Sequence, residues 1–252
     1  CHSVETKLGK QSFFFFDLQK QLKYLKMKKL VLVFSALVMV LSSCSSSDEE
    51  TNTPPTSSSV LVKKAIVEDE DGGYTTLYTY NGNKIVKTTN SDDTSEVFTY
   101  SGDLITKIEY YTDTTLDQKD IFTYNTDNKL ITYTRLDYGV ERGTKETYVY
   151  NSDGTLSVTE YIGDLTSQTQ LNSTSKIYFT NGEISKIEGF EGGVKTRTIN
   201  YTYDTKNNPY KNITGFDKLG IIFEEGISHN LLTESDTDTA GDPVTYEYTY
   251  NS

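Results

Sequence analysis

The strongest constraint on the fold of this chain is a unit that recurs from residue 74 onwards. The typical copy has two aromatic residues at positions i and i+2, a turn rich in Asn, Gly, Ser or Asp, and a β-branched or aliphatic run, and the copy that begins at Tyr178-Phe179-Thr180 is weaker. The anchor positions are 80, 100, 124, 150, 180, 203 and 250, so the intervals are 20, 24, 26, 30, 23 and 47 residues. Periods of this length are typical of architectures in which each unit packs on its neighbours.

Each copy has the pattern of a β-hairpin. In the first copy, the turn Asn81-Gly82-Asn83 separates two strand-like runs, and Asn and Gly tolerate the positive φ that tight hairpin turns require. Alternation along a strand places Tyr78 and Tyr80 on one face, with Leu77 and Thr79 on the other. Polar stretches between copies are interpreted as loops: Asn90–Glu96, Thr112–Lys119 and Gly163–Ser173.

The sequence therefore predicts an all-β fold, an antiparallel β-meander of repeated hairpins with about twelve to fourteen strands. A single curved sheet, an open barrel and a sandwich are all compatible with the pattern. The final interval of 47 residues is close to two periods, and a degenerate turn at Ser228–Leu231 would divide it into 24 and 23.

One segment, residues 207–226, interrupts the repeat. It contains Asn207-Asn208-Pro209-Tyr210 and the stretch Gly215–Gly226, and it reads as a loop with one helical turn at Phe216–Leu219. Proline cannot donate a hydrogen bond within a central strand, which supports this interpretation. The segment can be interpreted either as a long connector or as a binding loop.

A secretory signal precedes the repeats. Met27-Lys28-Lys29 is followed by the apolar segment Leu30–Val40 and then by Leu41-Ser42-Ser43-Cys44. The apolar run is shorter than the ~20 residues of a spanning helix, so residues 27–43 are interpreted as a signal peptide. The last four residues resemble a bacterial lipobox, and this resemblance implies cleavage before Cys44 and acylation of that cysteine. Residues 1–26 are interpreted as a leader outside the working protein.

The segment after the cysteine, residues 44–59, is rich in Ser, Thr, Asp, Glu and Pro, and it has too few apolar residues to repay ordering. We interpret it as a flexible tether to a domain at residues 60–252. The acidic cluster Asp48-Glu49-Glu50 resembles the surface-export signal of lipoproteins in Bacteroidota, and ordinary linker acidity is the alternative. The protein is expected in the cell envelope, anchored to the outer membrane by its lipid. Exposure on the cell surface is compatible with this prediction.

The net charge and the residue types of the chain exclude several classes of partner and of catalytic site. The chain has 24 Lys+Arg and 36 Asp+Glu, of which residues 1–43 hold 7 and 2, so the remainder carries 17 − 34 = −17. Such a surface repels phosphate groups, and no nucleic-acid partner is expected. With Cys44 acylated and His229 the one histidine after the signal, Cys/His catalysis and His-rich zinc sites lack ligands. A Ser-His-Asp triad built on His229 has no recognisable motif around it.

The repeat itself suggests a family. The copies Tyr150-Asn151-Ser152-Asp153-Gly154-Thr155-Leu156 and Tyr124-Asn125-Thr126-Asp127-Asn128-Lys129-Leu130 resemble the Tyr-Asp-x-x-Gly-Arg-Leu unit of Rhs/YD repeats. In that family, long arrays of such hairpins form a closed shell. This chain has about seven units and no arginine after the glycine, so it is more similar to short YD-repeat lipoproteins of Bacteroidota.

Two sets of residues could bind ligands. The 20 tyrosines could stack on sugars, although cross-strand aromatic pairs also stabilise sheets, and the absence of Trp weakens the sugar reading. The segment Asp236–Asp242 with Glu247 follows much of the calcium-loop pattern, so Asp236, Asp238, Asp242 and Glu247 are candidate Ca²⁺ ligands. Ala240 removes one ligand of that pattern, and an acidic hairpin loop is the alternative.

The leading functional hypothesis is a cell-envelope lipoprotein with a non-catalytic β-repeat binding or scaffold module and no cofactor. The alternatives are a carbohydrate-binding surface lipoprotein and a glycan-active enzyme that uses paired carboxylates. Expected partners are the membrane, through the lipid, and a glycan or an envelope protein.

Overall fold

The computed structural model describes residues 60–67, 73–224, 226–238 and 242–249. It shows one antiparallel sheet of fourteen strands that pair in chain order, from β1 at one edge to β14 at the other. The sheet is not closed into a barrel, and the prediction of an all-β meander is confirmed. The single open sheet is one of the three arrangements that the sequence left open.

Strands β1 to β7 span Lys64–Val67, Tyr74–Asn81, Lys84–Asn90, Thr94–Ser101, Leu104–Thr112, Thr115–Tyr124 and Leu130–Asp137. Strands β8 to β14 span Arg142–Tyr150, Leu156–Gly163, Gln168–Thr180, Glu183–Glu191, Val194–Asn207, His229–Asp236 and Val244–Thr245. Between β12 and β13 lie a 3₁₀ helix, Phe216–Lys218, and the helix α1, Gly220–Phe223. Within the described ranges, no helix is long and apolar enough to cross a membrane.

The hairpin turns form where the sequence predicts them. Gly82 has φ of 60° and Gly154 has φ of 81°, conformations that glycine adopts without steric cost. The stretches interpreted as loops between copies are instead mostly strand. Strand β4 already begins at Thr94 and β6 at Thr115, because Asp93 and Asp113 adopt positive φ and close the turns within a few residues.

A β-bulge recurs in the hairpins and bends the sheet. The register shifts by one residue between Thr79 and Tyr80, and the same shift occurs at Thr99/Tyr100, Thr123/Tyr124 and Tyr178/Phe179. Because a bulge bends its strand and increases the local twist, repetition at one height curves the sheet in one direction.

The core covers one face of the sheet, the inner face. Its buried residues include Ile85, Phe98, Phe122 and Tyr148, and all belong to one cluster. On the opposite outer face, Leu77 is 53% exposed. The predicted separation of Tyr78 and Tyr80 from Leu77 and Thr79 therefore holds, with the tyrosines turned towards the core.

The described residues between β12 and β13, which are 208–224 and 226–228, form the plug, and they fill the hollow of the curved sheet. Thr214 N donates to Asn83 O at 3.0 Å in the β2–β3 turn, and Ile227 N donates to Glu183 Oε2 at 2.7 Å on β11. Eight strand spacings separate β3 from β11, about 38 Å in a flat sheet. Because helical turns shorten the segment between Thr214 and Ile227, the sheet must curl around the plug to make both contacts.

The plug also corrects the predicted turn at Ser228–Leu231. Strand β13 begins at His229 and pairs with β12, so these residues enter a strand and do not form a hairpin turn. The long interval arises from an insertion rather than from a degenerate copy of the repeat.

Candidate functional site

The inner face carries a row of acidic residues that the sequence analysis did not recognise. Three consecutive copies place a carboxylate two residues before the first aromatic residue, in Glu96-x-Phe98, Asp120-x-Phe122 and Glu146-x-Tyr148. Because side chains two apart on a strand share a face, the aromatic pattern fixes these carboxylates on the inner face. That alternation was the signal available in the sequence.

Asp120 is the most enclosed member of the row, with 0% exposure. Its Oδ2 accepts hydrogen bonds from the hydroxyls of Tyr110 and Tyr133, both at 3.1 Å. Its Oδ1 accepts one from Gln118 Nε2 at 3.0 Å and forms an ion pair with Arg135 Nε at 3.3 Å. The charge is thus satisfied on every side, as a buried carboxylate requires.

Three glutamates around the hollow have strongly raised pKa values. Burial raises the pKa of Glu96, Glu146 and Glu224 to about 7. Each accepts a hydrogen bond from a hydroxyl group, and the donors are Thr88, Tyr148 and Tyr201 respectively. These bonds favour the charged form but do not outweigh burial.

The negative charges of Glu234 and Glu146 add to the rise in the pKa of Glu224, and Arg197 opposes it. A carboxyl group that keeps its proton near neutral pH can act as a general acid when a second carboxylate faces it. The inner face therefore brings together the residue types that acid–base chemistry uses.

These pKa values predict that the protein is more stable at pH 5 than at pH 8. A pKa raised from 4.5 to about 7 means that the folded state binds more protons. The associated stability is complete below about pH 4.5 and is lost as pH rises through about 7. Each unit of pKa difference between the folded and unfolded states corresponds to about 1.4 kcal/mol. The free energy of unfolding can therefore fall by at most roughly 3 kcal/mol per glutamate as the pH rises.

Thermal unfolding followed at pH 5, 6, 7 and 8 tests this expectation. We expect Tm to rise on acidification, and Glu224→Gln to flatten the profile because it removes one titrating group. A Tm that falls steadily from pH 8 to pH 5 would contradict the assignment.

The repeat tyrosines use their hydroxyls to connect neighbouring parts of the chain. Tyr80 donates to Val62 O at 2.7 Å, Tyr100 to Thr214 O at 3.2 Å and Tyr124 to Ile105 O at 2.7 Å. Burial raises the pKa of Tyr100 to about 12. Tyr150, the corresponding residue of the fourth copy, is 40% exposed.

The segment interpreted as a loop at residues 207–226 contains the predicted helical turn, which the structure places in the 3₁₀ helix and α1. Ile213 and Leu219 of this segment are buried in the core cluster. The cavity between Tyr210, Phe216 and Ile227 measures about 10 Å³, room for about one water molecule. Small-molecule sites enclose roughly 300–1,000 Å³, so this cavity does not hold a sugar.

His229 lies at the end of the plug. Its Nδ1 is 3.0 Å from Glu183 Oε1, and Glu183 also accepts hydrogen bonds from the main-chain N–H groups of Ile227, Ser228 and His229. The imidazole therefore joins a contact between the plug and β11, and its carboxylate partner is occupied by main-chain donors.

One of the four candidate calcium ligands, Asp236, already has other bonding partners. Asp236 Oδ2 is 2.7 Å from Arg197 Nε, and its Oδ1 accepts a hydrogen bond from Asp238 N. Asp242 and Glu247 are exposed, and residues 239–241 lie outside the described residues. In the described part of the chain, no group of three or more His, Cys, Asp and Glu side chains is arranged to hold a metal ion. The calcium site remains a prediction.

The lipidation residue Cys44, the signal peptide and the tether all lie outside the described residues. The described chain belongs to the class of open, single-sheet β-meanders, built from bulged hairpins that curve around an inserted plug. Comparison with protein-family models and with curated proteins gives no match to the chain.

Proposed function

We propose that this protein is a cell-envelope lipoprotein, anchored to the outer membrane through acylated Cys44, whose β-repeat domain is a non-catalytic binding or scaffold module. One observation carries the second part of the proposal: Asp120 and the hydroxyls of three repeat tyrosines on the inner face are bonded to other side chains or to the main chain. Asp120 meets four side-chain donors, and the hydroxyls of Tyr80, Tyr100 and Tyr124 reach main-chain carbonyls.

These hydrogen bonds are better suited to stabilising the sheet than to catalysing a reaction. A catalytic acid and its partner need a space in which the substrate displaces water, whereas the carboxylates here have protein hydroxyls as partners. The hydroxyl of Tyr124 joins its copy to the previous one at Ile105, and that of Tyr100 joins its copy to the plug at Thr214, so these bonds support a continuous scaffold. The likeness to short YD-repeat lipoproteins remains part of this proposal.

A glycan-active enzyme is the second candidate, because Glu146 and Glu224 have the raised pKa values of general acids. A sugar platform made of the repeat tyrosines has less support, since most of those tyrosines turn towards the core.

A hydrolysis assay separates the two candidates. We expect the full-length protein to release no reducing ends from a panel of soluble polysaccharides, at a rate indistinguishable from that of Glu146→Gln. Glu188→Gln, on the outer face, serves as the control for the same chemical change. Turnover that disappears in Glu146→Gln and persists in Glu188→Gln would refute the non-catalytic assignment.

The anchor has its own test. Cys44→Ser is expected to abolish labelling by a radioactive or clickable fatty acid and to release the protein from the membrane fraction, because the acyl chains are the proposed anchor. Ser57→Thr, in the tether and outside the lipobox, serves as a control. Unchanged membrane retention of Cys44→Ser would contradict the lipid anchor.

A further inference from the structure

Basic side chains of the sheet are sorted by face. Arg135 and Arg197 lie on the inner face, where both form ion pairs with aspartates. The cross-strand register places a series of lysines on the outer face: Lys64, Lys87, Lys107, Lys119, Lys145, Lys176, Lys186 and Lys195. Among the paired residues that the structure describes, two carboxylates share that face, Glu109 and Glu188.

Solvation alone explains why lysines are outside, since an ammonium group is strongly hydrated. It does not explain why one sign dominates a face of a chain whose net charge is −12. Solvated surfaces usually mix both signs. Lys87, Lys145 and Lys195 form no ion pair within the described residues, and Lys87 and Lys195 are exposed. These three lysines are available to an anionic partner.

Hydroxyl groups accompany the lysines. A row of threonines crosses five adjacent strands of the outer face in direct register: Thr123, Thr132, Thr147, Thr159 and Thr174. Adjacent strands lie about 4.8 Å apart, so the row places one hydroxyl at each such step. The hydroxyls of Thr123 and Thr132 bond to each other, and that of Thr147 donates to Thr159 O, which leaves those of Thr159 and Thr174 for a ligand. Val149 and Leu171 beside it are each 60% exposed, which adds apolar surface next to the hydroxyls.

We infer that the outer face binds a flexible acidic polysaccharide that carries carboxylate groups. Lysines would pair with the carboxylates, threonine hydroxyls would bond to sugar hydroxyls, and the exposed aliphatic side chains would contact sugar C–H groups. The inference deepens the proposed binding module and rests on it.

The curvature of the outer face favours binding of a flexible polymer over binding of other polyanions. The lysines extend from β1 to β12 around the outside of a curled sheet, so a flat anionic bilayer would meet a few strands at a time. Double-stranded DNA is stiff over about 50 nm and could not follow the curve without cost. Single-stranded nucleic acid is bound mainly by stacking on aromatic rings. Most of the repeat aromatics face inward, and the ring of Tyr178, which lies on the outer face, is covered by Lys186, whose Nζ is 3.9 Å from the ring centroid.

A binding experiment with the full chain tests the inference. Affinity electrophoresis would measure retention by polygalacturonate, with neutral dextran, single-stranded oligo(dT) and phosphatidylglycerol vesicles as separate arms. The test variant is Lys87→Gln/Lys145→Gln/Lys195→Gln. Its control is Lys206→Gln/Lys211→Gln/Lys218→Gln, which makes the same charge change beside or within the plug.

We expect polygalacturonate to bind the wild type and the control variant, with at least about a tenfold loss of affinity in the test variant and weaker binding at high salt. Unchanged circular dichroism would show that the substitutions leave the fold intact. Equal retention by dextran, an equal loss in the control variant, or tighter binding of oligo(dT) or vesicles would overturn the inference. Failure to bind polygalacturonate would also overturn it, while the non-catalytic proposal would fall only if hydrolysis depends on Glu146.

Discussion

Replacing Asp120 with alanine is expected to lower the free energy of unfolding by about 3–5 kcal/mol, the range for removing one partner of a buried ion pair. The carboxylate is fully enclosed and accepts from Tyr110, Tyr133, Gln118 and Arg135. Without it, two buried hydroxyls lose their acceptor and the positive charge of Arg135 loses its ion-pair partner. Each effect is costly in a low-dielectric interior.

Urea unfolding, with the midpoint and slope both recorded, measures this loss. Asp103→Ala is the matched control, because the Asp103 side chain is 82% exposed and its ion pair with Lys84 is worth at most about 1 kcal/mol. Asp120→Asn should fall between the two, since it keeps acceptor capacity and removes the charge. If Asp120→Ala costs no more than Asp103→Ala, the central role of this carboxylate in the sheet is wrong.

The part of the fold that sequence could predict is the part that local rules determine. The hairpin turns at Gly82 and Gly154 follow from the backbone freedom that their φ values demand, and strand alternation places the aromatic pairs on one face. The polar composition of the stretches between copies predicts loops, whereas the β-propensity of their threonines favours strands. Thr94 and Thr115, the first residues of β4 and β6, are β-branched and therefore favour a strand.

The acidic row follows from the alternation of residues along the strands. Asp120, Phe122 and Tyr124 alternate along one strand, so a carboxylate on the core face was already implied by the sequence. Its partners were not, because the bulges shift the register by one residue in many of the hairpins. A shift of one residue exchanges the faces, so pairing across strands needs the structure.

The plug was the hardest element to predict, because its contacts join residues far apart in the chain. The hydroxyls of Tyr78 and Tyr210 lie 3.2 Å apart across 132 residues, and Asn212 Nδ2 donates to Val60 O across 152. The periodicity of the hairpins predicts pairing between neighbouring strands, but it does not predict contacts between residues so far apart in the sequence. A continued hairpin repeat predicts a turn at Ser228–Leu231, and this prediction is wrong because β13 begins at His229.

Replacing Glu183 with alanine is expected to detach the C-terminal end of the plug, at a cost of about 2–4 kcal/mol. Glu183 is 4% exposed and occupies the position before the buried Ile184, where the first copy has Lys84 before Ile85. Its carboxylate accepts from three consecutive main-chain N–H groups, of residues 227–229, at 2.7, 2.7 and 2.9 Å. Alanine leaves those donors without their carboxylate acceptor.

Hydrogen exchange distinguishes this local effect from general unfolding. Amides 227–229 should lose protection in Glu183→Ala, while amides in β5 to β8 should keep theirs, because the centre of the sheet does not depend on this contact. Glu188→Ala is the control on the same strand, since Glu188 lies on the outer face with Tyr178 and Lys186 as partners. Equal exchange at residues 227–229 in both variants would show that the plug is retained by its apolar contacts alone, through Ile213 and Leu219.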